Sequence, residues 1–417
     1  MPRPALAIAG ALLASWIAAP SAAAQTPAGD DPTGPVFTFY GTVVANTSAA
    51  TTQLFIPDIP LWAVADGTRL QPPPIGGQTV PGGLDASEVG DVHMTARQTR
   101  LGLRVQFGAG SSSWTPSAQV EMDFFGARPN AGHGAVFNQP RMRLALITLR
   151  HTSGWSIVAG QDWAIFAPLN PASFSHFAVP LGAASGNPWM RLPQLRAERS
   201  VAVGDSARLL VQAGILRPLG GGDATAAGSL ADLPSLSGER SGQPFYEGRV
   251  ALTGTRHGRA QALGASVHYG REAVEPETLS TWGAAVDLQL VLHSKATLSG
   301  EAWTGSNLDT FQAGVIQGVS IAGSRIEAID ARGGWVQLAL LPAPLWTLHA
   351  GAGIDDPETD GLSAAIARTR NRIVWGNAMY RLHPQVTAAL QYTHFDTEYR
   401  TGAGSGHFGS LAIVFAF

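Results

Sequence analysis

The chain has 417 residues, of which 14% are charged, 49 are glycine and none is cysteine. The lack of cysteine excludes a disulfide framework and thiolate chemistry. The formal net charge of −3 is too small to indicate a nucleic-acid partner. No apolar stretch of about 18 residues follows the N-terminal region, so membrane-spanning helices are not expected.

The N-terminal region has the pattern of a secretory signal peptide. An almost entirely apolar stretch, Ala5 to Ala19, is followed by the small residues of a cleavage site, Ala22 to Ala24. An exported chain without apolar helices can still enter a membrane as a closed β-barrel, which satisfies every backbone hydrogen bond internally. We therefore expect a signal peptide over 1–24, a periplasmic segment over 25–35 and an outer-membrane barrel over 36–417.

Alternation of apolar and polar residues with period two, which is typical of a half-buried strand, recurs along the rest of the chain. Each stretch has about ten residues, the length that a tilted strand needs to cross a membrane. The predicted strands are 36–45, 92–107, 115–125, 141–150, 154–163, 192–201, 208–216, 244–254, 259–270, 279–292, 295–304, 331–341, 345–354, 369–382, 385–395 and 407–417.

The predicted connections alternate without a break between short turns and long loops. The short ones are 108–114, 151–153, 204–207, 255–258, 293–294, 342–344 and 383–384, and the long ones are 46–91, 126–140, 164–191, 217–243, 271–278, 305–330, 355–368 and 396–406. A membrane barrel has this asymmetry because its periplasmic turns are short and its extracellular loops are long. The sequence predicts an all-β fold, a transmembrane antiparallel β-barrel with 16 strands.

The last strand shows which face meets lipid. Leu411, Ile413, Phe415 and Phe417 share one face of it, and small residues share the other. This strand resembles the terminal strand of bacterial outer-membrane proteins. The same choice of face predicts two aromatic girdles. The inner one contains Phe37, Phe39, Phe107, Trp155, Trp346, Tyr380, Phe415 and Phe417, and the outer one contains Phe124, Trp282 and Tyr392.

The opposite faces of the strands carry charged side chains, which favours a hydrated lumen because charges facing hydrocarbon are costly. The predicted pore-lining residues are Arg100, Arg104, Glu121, Asp123, Arg141, Arg143, Asp162, Arg196, Glu198, Glu247, Arg249 and Arg381. Arginines and carboxylates inside a pore create a transverse field that selects solutes by charge. The alternative is a wall network in which the two signs only neutralise each other and stiffen the barrel.

The third long connection, 164–191, corresponds in position to the loop that narrows the channel in general porins. Its predicted constriction residues are Phe166, Phe174, His176, Phe177 and Trp189. The loop contains no carboxylate. An arginine wall facing such a constriction would favour anions. The alternative is an ordinary loop packed on the surface.

Three short motifs resemble successive early strands of the DcaP-like outer-membrane porins. They are Ala96–Leu103 (ARQTRLGL), Val120–Gly126 (VEMDFFG) and Ala159–Trp163 (AGQDW). The resemblance covers under a quarter of the chain. It implies a sixteen-stranded homotrimer that takes up small anionic solutes such as dicarboxylates. Members of that family often carry a coiled-coil segment before the barrel, and none is expected in 25–35.

The sequence has no GxSxG elbow, no HExxH, no phosphate-binding loop and no GxGxxG that opens a helix. We therefore expect no enzyme activity, no cofactor and no metal site. The expected partners are outer-membrane lipid, lipopolysaccharide, small anionic solutes and further copies of the chain. Two alternatives stay open: an outer-membrane hydrolase that uses Ser266 and His268 on one strand, and a soluble secreted β-protein that binds carbohydrate.

Overall fold

The computed structural model describes residues 34–70, 83–108, 110–126, 138–220, 236–360, 362, 364 and 367–417. The predicted signal peptide lies outside these residues, as does most of the predicted periplasmic segment.

The described chain forms one closed antiparallel barrel of 16 strands. The strands are β1 (Val36–Ala50), β2 (Asp91–Thr95 and Arg100–Gln106), β3 (Trp114–Asp123), β4 (Arg141–His151), β5 (Trp155–Trp163), β6 (Arg191–Val203), β7 (Ala207–Leu216), β8 (Phe245–Arg256), β9 (Arg259–Val274), β10 (Glu277–His293), β11 (Ala296–Ser306), β12 (Asp330–Ala343), β13 (Trp346–Pro357), β14 (Arg368–His383), β15 (Val386–Tyr399) and β16 (Ala403–Ala416). The sequence prediction of a 16-stranded all-β barrel is confirmed.

The barrel closes through its first strand. β1 pairs with β16 on one side and with both parts of β2 on the other, so that Thr42 lies opposite both Ala416 and Arg100. Each other strand pairs with its neighbours in the chain. Closure leaves no unpaired sheet edge, as hydrocarbon surroundings require.

The outer wall is apolar because the period-two faces of the strands are aligned around the barrel. Phe39 is 74% exposed, Leu390 61% and Val267 57%. A continuous belt of such side chains fits contact with lipid and does not fit a soluble carbohydrate-binding protein. Near a periplasmic turn, the rings of Trp346 and Tyr380 pack with centroids 4.7 Å apart, where the inner aromatic girdle was predicted.

Two predicted long loops are wrong. β9 and β10 stay paired as far as Val274 and Glu277, and β15 and β16 stay paired as far as Glu398 and Ala403. The hydrogen-bonded ladders continue beyond the apolar belt, where polar side chains end the alternation that marks a membrane strand. The connections predicted over 271–278 and 396–406 are therefore tight turns on extended hairpins.

Three long loops turn into the barrel: L1 (51–70 and 83–90), L3 (164–190) and L6 (307–329). Their apolar residues form one cluster, which contains Ile59, Leu61 and Trp62 of L1, Ala178, Val179, Ala183, Ala184 and Trp189 of L3, and Val315 of L6. The barrel interior is thus partly filled by its own loops, and L3 lies at their centre.

The remaining elements are short. L1 contains the strand pair Arg69–Leu70 and Leu84–Asp85, and L6 contains the hairpin Val319–Ala322 and Arg325–Ala328. The longest described helix is Ser237–Arg240. Within the described ranges, no helix has the length and apolar composition needed to span a membrane.

Candidate functional site

L3 runs around the inside of the barrel. It contains four prolines, Pro168, Pro171, Pro180 and Pro188, which exclude a regular helix or strand. The remaining backbone groups of the loop therefore need other partners. They find them in polar side chains that the strands direct inwards.

The contacts between L3 and the wall follow the order of the strands. The N–H groups of Ile165 and Phe166 donate to Glu247 Oε2 on β8 at 2.6 and 3.0 Å. Farther along, Ala167 N donates to Ser266 on β9, Leu169 N to Glu301 on β11, Ala172 N to Gln337 on β12, and Ser173 Oγ to Gln391 on β15. Gln98, in the break between the two parts of β2, also binds L3, since its Oε1 accepts hydrogen bonds from Phe177 N and Ala178 N at 2.7 and 2.9 Å. L3 is therefore part of the inner wall and is not a surface-packed loop.

Most aromatic residues of L3 anchor the loop. Phe166 is 1% exposed and packs edge-on against Phe311 of L6, with centroids 5.5 Å apart. Phe174, His176 and Trp189 are also buried. Only Phe177, among the five predicted constriction residues, keeps partial exposure. The expected constriction made of five aromatic side chains is thus reduced to one side chain beside the lumen.

Arginines gather around two carboxylates on the β2 to β4 side of the barrel. Asp123 accepts hydrogen bonds from Arg141 Nη2 at 2.6 Å and from Arg143 Nη1 at 3.0 Å, and Glu121 accepts one from Arg143 Nε at 2.7 Å. Arg141 and Arg143 also donate to the carbonyl oxygen of Ala178 in L3, at 3.1 and 3.4 Å. These two arginines fasten L3 to the wall, and neighbouring acids neutralise their charges.

Arg100 and Arg104 lie on the same side but form no ion pair with a described carboxylate. Arg100 donates to the carbonyl oxygen of Phe177, and its Cζ lies 3.5 Å from the centroid of that ring. Its Nε has no hydrogen-bond partner. Arg104 lies over Tyr40, with Cζ 5.4 Å from the ring centroid. Both arginines are half-buried, as expected of side chains beside an enclosed aqueous passage.

Arg191, the first residue of β6, is a third such arginine, and it is absent from the sequence-predicted set. Its Cζ lies 4.9 Å from the Trp163 ring centroid and 5.2 Å from that of Trp189, and its Nη1 has no partner. Aromatic faces hold a guanidinium without neutralising it. Arg191 closes a predicted loop, where strand alternation assigns no face. The sequence feature that could have indicated its position is the pair of tryptophans near the ends of that loop, Trp163 and Trp189.

The other predicted charges on this side are paired. Arg196 donates to Asp162 at 2.8 Å and to Glu198 at 2.7 Å, so this group carries one net negative charge within two strands. Asp162 and Glu198 are both bound to Arg196, which holds them against the wall.

Three further residues predicted to line the pore do not do so. Glu247 is sealed beneath L3, and Arg249 is paired with Asp287 at 2.6 Å, leaving the two predicted residues 4% and 6% exposed. In this region the arginine and the carboxylates neutralise each other within the barrel wall, as the alternative stated for the pore-lining residues describes. Arg381 lies exposed at a periplasmic turn and donates to Pro344 O at 2.9 Å. Its position is at the rim because β14 ends there.

Ser266 and His268 do not form an accessible nucleophilic site. Ser266 is 3% exposed, and its Oγ accepts the hydrogen bond from Ala167 N at 3.2 Å. His268 lies between Glu247 and Thr281, at 3.3 Å from each. This order of groups resembles a catalytic triad, but three aromatic rings cover the histidine, those of Phe166, Phe245 and Phe311. The group supports the start of L3.

A closed 16-stranded barrel with an apolar belt, a charged interior and an inward third loop has the fold of the outer-membrane porins, and it fits the outer membrane. No family model and no curated protein sequence matches the chain.

Solved structures do match. The fold is similar to that of the outer-membrane channel DcaP of Acinetobacter baumannii, with TM-score 0.65, 17% identity, and coverage of 92% of this chain and 98% of that chain. It is also similar to an anion-selective porin from Comamonas acidovorans, with TM-score 0.57, 13% identity, and coverage of 92% and 100%. The trimer form of OmpT of Vibrio cholerae gives TM-score 0.52, 10% identity, and coverage of 92% and 100%. The predicted resemblance to DcaP-like porins is confirmed at the level of the fold.

Proposed function

We propose that this protein is an outer-membrane porin through which small hydrophilic anions diffuse. The fold shared with solved outer-membrane channels supports the porin class. One observation carries the anion preference. Arg100, Arg104 and Arg191 lie on one side of the lumen, and none of them has a carboxylate partner within the described structure.

The acids on that side do not offer the same attraction to cations. Glu121, Asp123, Asp162 and Glu198 all accept hydrogen bonds from arginine. Inside a protein wall, where the effective dielectric constant is about 20, two unit charges at about 4 Å interact by about 4 kcal/mol. A guanidinium group without a carboxylate partner can also form charge-assisted hydrogen bonds with an anion. An anion therefore gains both a charge and donors that a cation does not find.

Planar-bilayer recording of the refolded protein tests this proposal. Under a salt gradient, the reversal potential should show anion preference. The triple variant Arg100→Gln, Arg104→Gln, Arg191→Gln should shift that potential towards zero or towards cation preference while the channel still conducts.

The control variant is Arg325→Gln, because Arg325 is 73% exposed on the L6 hairpin and its charge is already paired with Glu327. It should leave the reversal potential unchanged. An unchanged potential in the triple variant would refute the role of these arginines. Absence of conductance from a folded, heat-modifiable barrel would refute the porin function itself.

We also propose that the barrel is a homotrimer surrounded by phospholipid and lipopolysaccharide. Support comes from the apolar outer belt and from the trimer form solved for OmpT. Sedimentation in detergent tests the assembly, and a monomer mass in a folded sample would contradict it.

A further inference from the structure

The periplasmic rim of the barrel is strongly basic. Its described turns and strand ends cover 107–115, 150–155, 199–208, 256–259, 293–296, 342–346 and 381–386. They contain seven basic residues and a single acid, Asp205. The basic residues are Arg150, Arg199, Arg208, Arg256, Arg259, Lys295 and Arg381.

No ion pair of the described structure involves any of these seven residues. Where they form hydrogen bonds, the acceptors are uncharged: Arg381 binds Pro344 O at 2.9 Å, Lys295 binds Pro342 O at 3.5 Å, and Arg208 Nε binds Ser200 Oγ at 2.7 Å. Their positive charge is therefore not cancelled locally.

The extracellular end has the opposite balance. The described residues of 51–99, 217–244, 271–278, 307–332, 355–372 and 396–402 contain eighteen acidic and eleven basic side chains. Ion pairs such as those of Arg97, Arg217 and Arg372 each cancel one acid together with one base, so the excess of acidic side chains remains. Between the two ends, the inner wall carries seven basic and seven acidic residues. Fixed charge thus changes sign along the barrel axis.

We infer that the channel rectifies current, and that its periplasmic mouth collects small anions. The inference rests on the proposed porin function. When the extracellular side is positive, anions enter through the basic mouth and cations through the acidic one, so that each is concentrated where it enters. The opposite polarity draws each ion from the mouth that repels it. Conductance should therefore be larger with the extracellular side positive.

Current–voltage curves of single, oriented channels test this inference. The chain has no cysteine, so Ala322→Cys on the exposed L6 hairpin, labelled with a membrane-impermeant thiol reagent, reports the orientation. In 0.1 M KCl we expect about a twofold asymmetry between +100 and −100 mV. In 1 M KCl the Debye length falls to about 3 Å, and the asymmetry should disappear.

The deciding variant is Arg150→Gln, Arg256→Gln, Lys295→Gln, which alters three exposed rim residues and should abolish the asymmetry while conductance persists. Its matched control, Arg150→Lys, Arg256→Lys, Lys295→Arg, keeps the charge and should keep the asymmetry. Symmetric curves in the unaltered protein at 0.1 M KCl, or asymmetry that survives in the glutamine variant, would overturn the inference and leave the porin function standing. Absence of any conductance would overturn both.

Discussion

The indole Nε1 of Trp303 on β11 donates to the carbonyl oxygen of Gly186 in L3 at 2.9 Å. This bond holds the returning half of L3 against the wall opposite the arginines. The fit is tight, because a Cβ on Gly186 would lie 2.2 Å from Gly334 O and 2.5 Å from Ile354 O. Gly186 also has φ +102°, a conformation that other residues rarely adopt. L3 can approach the backbone of β12 and β13 only with glycine at this position.

Gly186→Ala should therefore displace L3. We expect an overpacking cost of about 1–3 kcal/mol beyond the backbone strain, since the obstructing atoms belong to strand backbone. Hydrogen exchange of L3 peptides and the midpoint of heat modification measure the effect. Gly402→Ala is the matched control, because Gly402 has the same φ of +102° with no atom within 4 Å of its added Cβ. Equal destabilisation by both variants would show that the close approach is unimportant.

Glu247→Ala should release the beginning of L3. Two backbone N–H groups, those of Ile165 and Phe166, would lose a charged acceptor in a buried place, at a cost of about 2–3 kcal/mol. Glu247→Gln keeps an acceptor oxygen and should cost less. Protease cleavage within L3 of the folded barrel reports the release. Resistance of Glu247→Ala equal to that of the unaltered protein would contradict this account.

Mild acid should destabilise the packing of L3 against the barrel, because it protonates His176. Burial lowers the pKa of His176 from 6.5 to about 4, and its ring nitrogens lie 3.3 Å from Pro60 O and from Gln391 Nε2. The folded state holds the neutral ring, so its contribution is complete above pH 6.5. It is lost as the pH falls towards 4, by about 3 kcal/mol in total. His176→Gln should flatten this part of the stability curve, measured by chemical denaturation between pH 7 and 4. A variant with the same slope as the unaltered protein would exclude this histidine.

Asp58→Asn should free L1 from the barrel. Arg97 Nε donates to Asp58 Oδ2 at 2.6 Å, and both side chains are almost fully buried. Breaking one partner of a buried ion pair costs about 3–5 kcal/mol. We expect a lower heat-modification midpoint and larger single-channel conductance, because L1 packs against L3. Glu327→Gln removes an exposed pair and should change the free energy of unfolding by less than about 1 kcal/mol, so its midpoint should stay close to that of the unaltered protein. Similar effects of the two variants would contradict this expectation.

The strands were predictable because membrane burial imposes the same period on every one of them. The apolar outer face repeats from Phe39 to Phe415, and a single rule of alternation identifies it. The lengths of two hairpins were not predictable, since the ladders from Arg271 and Asp396 onward leave the membrane and lose that period. Hydrogen bonding between backbones continues there without a pattern in the side chains.

The candidate site was predictable only in part. Alternation identified Arg100 and Arg104 as inward residues, but it could not show that Glu247 lies under a loop or that Arg249 is buried in an ion pair. An inward position states which face a side chain is on, and it does not state what covers that face. Arg191 was not predicted as a pore-lining residue, because its position depends on two tryptophans that are far apart in sequence and are brought together by L3.

The hydrogen bonds that hold L3 join it to residues far along the chain. Ile165 and Leu169 bind partners 82 and 132 residues farther along the chain, and Ser175 binds Ser410, 235 residues away. Contacts of such long sequence separation form slowly, since large loops must close before any bond is gained. L3 enters the barrel early in the sequence yet has its full set of partners only when β16 is in place. Until the barrel closes, L3 therefore lacks some of the hydrogen bonds that hold it in the finished structure.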